Sequence, residues 1–165
     1  MRYFLLGLPG SGKSYWGKLW AEKNDILFID LDHYLEKKEG KTIAEIFSSE
    51  GESRFRALEA AYLLEAIKES PDAIIACGGG TPCFNNNMDL MNGKGTTVFL
   101  NLSIHHISER LIVSNEIDKR PLFKGYSTST QIRTKLSELL NDRLPYYSKA
   151  KIEVTDVNEA SFPHF

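Results

Sequence analysis

Eight consecutive residues, Gly7-Leu8-Pro9-Gly10-Ser11-Gly12-Lys13-Ser14, fit the phosphate-loop pattern Gly-x-x-x-x-Gly-Lys-[Ser/Thr] at every fixed position. The glycines let backbone N–H groups turn inward around phosphate oxygens, where a Cβ would block the approach or force an unfavourable φ. Lys13 then reaches the β- and γ-phosphates, and the Ser14 hydroxyl serves as a ligand for Mg²⁺. Gly10, Ser11, Gly12, Lys13, Ser14 and the adjoining Tyr15 are therefore the expected nucleotide site, with a nucleoside triphosphate as its ligand. Two acids, Asp30 and Asp32, come next. They stand at the expected C-terminal edge of a strand, the edge where open α/β sheets bind ligands. Capping the following helix is the ordinary alternative for them.

Gly78-Gly79-Gly80 directly follows an apolar run, so a ligand can lie against backbone there; a flexible turn is the plainer reading. No acid closes that run. Cys77 occupies the place where many ATPases and GTPases carry their Mg²⁺-directing Asp, which leaves Asp30 as the best candidate for that duty. Arg56 and Glu59 stand three apart on an expected helix, close enough for the carboxylate to orient the guanidinium, although such a pair is ordinarily solvated. Arg120 lies within a polar, glycine-containing segment, 114–129, whose length suits a mobile lid. Arg143 falls four residues after Leu139 and so points near the apolar side of its helix, where an arginine needs an anionic partner. His105 and His106 are adjacent, cannot share a helix face, and read as surface residues. Cys77 and Cys83 suit no common zinc spacing and read as buried or half-buried thiols.

The elements that must carry these groups follow from periodicity. Tyr3-Phe4-Leu5-Leu6 suits a buried parallel strand, and Trp16, Leu19 and Trp20 mark the inner stripe of the helix after the phosphate loop. That helix aims its N-terminal partial positive charge at the phosphates. A second strand is expected at Ile26–Ile29, and helices at Tyr34–Glu39, Thr42–Phe47 and Glu52–Glu69, with breaks at Gly40 and Gly51 and a stop at Ser70-Pro71. Further strands are expected at Ala73–Cys77, Thr96–Leu100 and Ile152–Val154, with a turn at Asn92-Gly93. Ser103 caps a helix carrying Ile104, Ile107 and Leu111 inward, and Thr130–Arg143 returns to helix. Alternation of strands and helices predicts a three-layer α/β/α fold around a five-stranded parallel sheet.

At 165 residues the chain is long enough to bury a core without staples, and it is read as one domain, 1–165. A net charge of −2 offers no basic field for nucleic acid. No apolar run approaches membrane-spanning length, and the first strand begins too early for a signal peptide, so a cytoplasmic protein is expected, acting as a monomer. A GTP-dependent switch would want Asp-x-x-Gly and Asn-Lys-x-Asp strings, and neither occurs. A degenerate, non-catalytic nucleotide-binding module would be expected to have lost Lys13, Asp32 or Arg120, and all three are present.

Taken together, the phosphate loop, Asp30-Leu31-Asp32, Phe55-Arg56 after Ile43-Ala44-Glu45-Ile46-Phe47, Gly78-Gly79-Gly80, Arg120-Pro121-Leu122, and Arg143 with Tyr147 resemble the shikimate kinase family over residues 1 to about 155. The resemblance implies transfer of the ATP γ-phosphoryl group to the 3-hydroxyl of shikimate. Asp32 would hold that hydroxyl and act as base, and Arg56 and Arg143 would clamp the shikimate carboxylate. The glycine triplet would line the ring, Arg120 would meet the transferring group, and Asp30 would order water on Mg²⁺. Tyr15 stands where the family usually has a small Thr or Ser. Arg110 is the nearest counterpart of the family's adenine-stacking arginine. A kinase acting on another small hydroxy acid or a nucleotide is the alternative enzyme.

Overall fold

The computed structural model describes residues 1–118 and 120–162. Five strands form one parallel sheet: β1 (Arg2–Leu6), β2 (Leu27–Asp30), β3 (Ala73–Ala76), β4 (Thr96–Leu100) and β5 (Ile152–Val154), in the order β2-β3-β1-β4-β5. Side chains alternate across the central strands, as a pleat with both faces covered requires. Phe4, Leu6, Ile75 and Phe99 enter one apolar cluster, and Tyr3, Leu5, Ile74, Val98 and Leu100 enter another on the opposite face.

The helices are α1 (Lys13–Asn24), α2 (Leu31–Glu39), α3 (Ile43–Glu69), α4 (Asn87–Lys94), α5 (Ile104–Val113) and α6 (Ser129–Tyr147). The first face is covered through Leu63, Ala66 and Ile67 of α3, Met88 and Met91 of α4, Ile107 and Leu111 of α5, and Ile132, Leu136 and Leu139 of α6. The second face is covered more thinly, by Trp20 and Ala21 of α1 and by Phe162 from the segment after β5. Leu35, Ile46, Phe55 and Leu58 make a satellite cluster between α2 and α3. The expected three layers are therefore present, and they are unequal.

Several boundaries differ from expectation, each for a local reason. Helix α2 starts at Leu31, because the Asp30 side chain accepts from His33 N–H at 3.2 Å and caps it. Asp32 accordingly stands in a helix's first turn instead of on the strand edge. The helices flanking Gly51 run on as α3, and Gly51 (φ 83°) survives as a non-helical kink within it. Helix α4 was not expected, and Asn92-Gly93 lies inside it instead of forming a turn. Its Asn- and Gly-rich sequence has weak helix propensity, and burial of Asn87, Met88 and Met91 holds it. Helix α6 continues past Arg143 through Pro145 to Tyr147. Pro145 is exposed in the last turn, and the helix ends a few residues beyond it.

Candidate active site

The sheet order explains why the expected residues meet. Strands β1, β3 and β2 are neighbours, so the loop after β1, the start of α2 after β2 and the glycines after β3 emerge side by side. In the phosphate loop, Gly12 adopts φ 88° immediately before α1, a backbone that an L side chain rarely takes. Lys13 Nζ donates to the carbonyl oxygens of Gly7 and Leu8, both at 2.9 Å. Its pKa is lowered to about 8, first by burial and next by the Arg120 charge, with Asp32 pulling the other way. Ser14 Oγ donates to Asp30 Oδ2 at 2.5 Å, so Asp30 both caps α2 and reaches the phosphate loop. Ser11 Oγ is buried without a protein partner. The Tyr15 side chain is 66% exposed and stands edge-on to Trp16.

Asp32 is pushed the other way, to about 6: burial is the largest cause, and the Asp30 and Glu59 carboxylates add to it against the pull of Lys13. Glu59 is itself 1% exposed, accepting from Arg56 Nη1 at 2.8 Å and from Thr81 Oγ1 at 2.6 Å. Arg56 is pinned further. Its guanidinium lies 4.1 Å from the Phe84 ring centroid and 5.0 Å from that of Phe55, while Nε lies 3.5 Å from Glu52 Oε1. The solvated reading of the Arg56–Glu59 pair is thus corrected: Thr81 and the aromatic rings enclose it.

The glycine triplet organises these charges. A Cβ on Gly78 would lie 2.9 Å from Asp32 Oδ1 and 3.2 Å from Glu59 Oε2. On Gly79 it would lie 2.6 Å from Arg143 Nη1, and on Gly80 it would lie 2.6 Å from Arg56 Nη2. Each glycine is covered by a different charged side chain, so three successive missing Cβ atoms let a carboxylate and two guanidiniums pack along one stretch of backbone. Tyr147, in the last turn of α6, donates its hydroxyl to Gly79 O at 2.6 Å and holds that stretch in place. Arg143 Nη1 is buried with no hydrogen-bond partner. Such a buried donor calls for an acceptor, and it faces the triplet.

Arg120 donates to Glu116 Oε2 at 2.8 Å, and both are partly exposed. The expected lid around it is anchored: Phe123 is fully buried in the main core, with Tyr126 and Ile117 packed against that core. Lys119, inside the same segment, lies outside the described residues. Arg110 leans toward the phosphate loop, its Nη1 lying 3.5 Å from Gly10 O. His105 and His106 are exposed, Cys77 is buried and Cys83 half-buried, as expected. No cluster of three or more His, Cys, Asp or Glu suited to a metal occurs among the described residues.

Residues 9–162 match the family described as Shikimate kinase. The chain belongs to the shikimate kinase family. The shikimate kinase of Parabacteroides distasonis is 41% identical over 92% of this chain and 85% of its own length. That of Bacteroides thetaiotaomicron superposes with a TM-score of 0.88 at 37% identity, covering 94% of this chain and 86% of that one. The Acinetobacter baumannii shikimate kinase, solved in complex with shikimate, superposes with a TM-score of 0.83 at 30% identity, over 96% of this chain and 86% of its own. Membership in this kinase family makes ATP the co-substrate.

Two features of this shikimate kinase site were not legible as functional residues. Thr81 and Tyr147 act through partners 22 and 68 residues away in the chain, Glu59 Oε2 and Gly79 O. Tyr147 was visible in the sequence only as part of the family pattern. For Thr81 no local signal existed.

Proposed function

We propose that the chain is an ATP-dependent shikimate kinase, forming shikimate 3-phosphate and ADP within aromatic amino-acid biosynthesis. The observation that supports this most directly is the glycine triplet carrying Asp32, Arg143 and Arg56 side by side, next to the phosphate loop. Two guanidiniums offer planar forks to a carboxylate, and Arg143 Nη1 is a buried donor ready to take one of its oxygens. With the carboxylate held there, the acceptor hydroxyl is directed toward Asp32, across the site from Lys13.

The shikimate hydroxyl gives its proton to Asp32 Oδ as its oxygen attacks the γ-phosphorus, and the bond to the ADP oxygen breaks. A carboxylate raised to about 6 is still ionised at neutral pH, and it is a better base than an ordinary one. Phosphoryl transfer asks mainly for positioning and for positive charge around the equatorial oxygens. Lys13 exchanges its loop carbonyl contacts for phosphate oxygens, and Arg120 adds a second charge from the lid segment. The residues also fit Mg²⁺: a hydroxyl and a carboxylate already paired, Ser14 and Asp30, are hard oxygen donors of the kind it prefers. Ser14 would bind it directly and Asp30 through water, and it would supply charge neutralisation at the phosphates. Gly10, Ser11, Gly12 and Tyr15 complete the nucleotide site, and Arg110 borders it with Nη1 3.5 Å from Gly10 O.

We further read the chain as one domain working as a cytoplasmic monomer, without nucleic-acid or membrane partners. Among the described residues no helix is long and apolar enough to cross a membrane. Coupled ADP release, compared across shikimate, quinate, gluconate and nucleoside monophosphates, tests the substrate assignment. Turnover confined to shikimate is expected, and a preference for any other acceptor overturns it.

A further inference from the structure

The chain has two tryptophans, and they are treated differently by the fold. Trp20 is fully buried and donates Nε1–H to Asn158 O at 3.2 Å. Trp16 Nε1 is equally shut from solvent, yet it has no hydrogen-bond partner. Its ring cannot easily turn to find one, being stacked on Trp20 at 5.9 Å and flanked edge-on by Tyr15 at 5.1 Å.

The unpaired N–H borders the phosphate loop. A Cβ placed on Gly12 would lie 3.3 Å from Trp16 Nε1, 2.9 Å from Trp16 Cδ1 and 2.5 Å from Arg110 Nη1. Indole and guanidinium from two different helices therefore converge beside one glycine. Both groups are donors with no acceptor capacity, so neither can satisfy the other. Arg110 Nη1 donates to Gly10 O only at the outer limit of hydrogen bonding, 3.5 Å. An unpaired indole N–H beside a weakly bonded guanidinium, against a loop built to hold phosphates, calls for an oxygen of the ligand. The loop N–H groups and Lys13 serve the β- and γ-phosphates, whereas Trp16 stands nearly a turn further along α1.

We propose that Trp16 is a nucleotide-positioning residue whose Nε1–H donates to the nucleoside end of the bound nucleotide, from the α-phosphate to the ribose, beside Arg110. This rests on the assignment of residues 7–14 as the ATP site. One hydrogen bond from a neutral indole donor is consistent with roughly a five- to tenfold effect on affinity.

Calorimetric titration of the whole protein with ADP and with pyrophosphate tests it. Trp16→Phe keeps an aromatic ring between Tyr15 and Trp20 and deletes the donor. The variant should bind ADP about five- to tenfold more weakly than wild type while holding pyrophosphate equally well. Unchanged ADP affinity, or an equal loss for pyrophosphate, overturns the proposal. Indole emission provides a second readout that needs no variant. ADP should perturb the emission of the wild-type protein and pyrophosphate should not, and an emission indifferent to saturating ADP overturns the contact. Failure of wild type to bind ADP or pyrophosphate at all would instead sink the nucleotide-site assignment, and the inference with it.

Discussion

Lys13 and Asp32 are both held away from their ordinary ionisation, in opposite directions and for one dominant reason, burial. The two charges offset each other only in part. For Asp32 the folded chain retains a proton between about pH 3.8 and 6 that the unfolded chain has released, so its ionisation costs stability as pH rises through that interval. Asp32→Asn should therefore abolish phosphoryl transfer and leave the protein as stable or more stable at neutral pH, by roughly 1–3 kcal/mol. Thermal unfolding beside a turnover assay checks both halves; a destabilised variant would show that Asp32 is structurally required. The same ionisation sets a pH profile. If the carboxylate is the base, kcat/KM for shikimate should fall as pH drops through about 6, and an acid limb near the usual carboxylate range would remove Asp32 from that role. Lys13→Met should likewise eliminate turnover without loss of fold, because Lys13 is a buried cation whose contacts strengthen as charge moves to the phosphate oxygens. Wild-type-like turnover from that folded variant would refute the site.

At the scale of elements, the two arginines expected to hold the carboxylate come from α3 and α6 and are brought together by the loop after β3. Losing one partner of such a charge-assisted, partly dry contact typically costs on the order of 2–5 kcal/mol. Arg143→Ala should weaken shikimate binding by roughly 30-fold or more and leave ADP affinity nearly unchanged. Arg56→Lys should also be costly, since an ammonium cannot reproduce the fork set between Phe84 and Glu59. Titration of each variant with shikimate and with an analogue lacking the carboxylate decides the matter: if Arg143→Ala still prefers the carboxylated ligand, the clamp is wrong. The segment 114–129 is fastened to the core by Phe123, with Ile117 and Tyr126 packed against it, and Arg120 is paired with Glu116. With an ATP analogue and shikimate both present, amide exchange there should slow, because closure excludes water that would compete for the phosphoryl group. Exchange insensitive to the ligands would make the segment a plain connection.

For the molecule as a whole, the unequal layers carry a consequence. One face of the sheet is covered by four helices, α3, α4, α5 and α6, the other by α1 and the segment that brings Phe162 against Tyr3 and Trp20. Phe162→Ala should then destabilise the fold by about 3–5 kcal/mol while leaving the KM for shikimate unchanged, since that face is opposite the acceptor side. Chemical denaturation with parallel kinetics checks it, and an unchanged midpoint would mean that the segment contributes little. The sequence by itself determined what is contiguous or periodic. The phosphate loop was legible because its chemistry lies in eight adjacent residues, and the sheet because five short apolar runs alternate with helical stripes. Helix α4 was not legible, because burial and not propensity holds it. Nor was the enclosure of Glu59 by Thr81, the hold of Tyr147 on Gly79, or the meeting of Trp16 and Arg110 beside Gly12. Which carboxylate is raised, which lysine is lowered and which donor is left unpaired were decided only by the tertiary structure. Desolvation is set by atoms that arrive from distant parts of the chain, and no local spacing encodes how much water they remove.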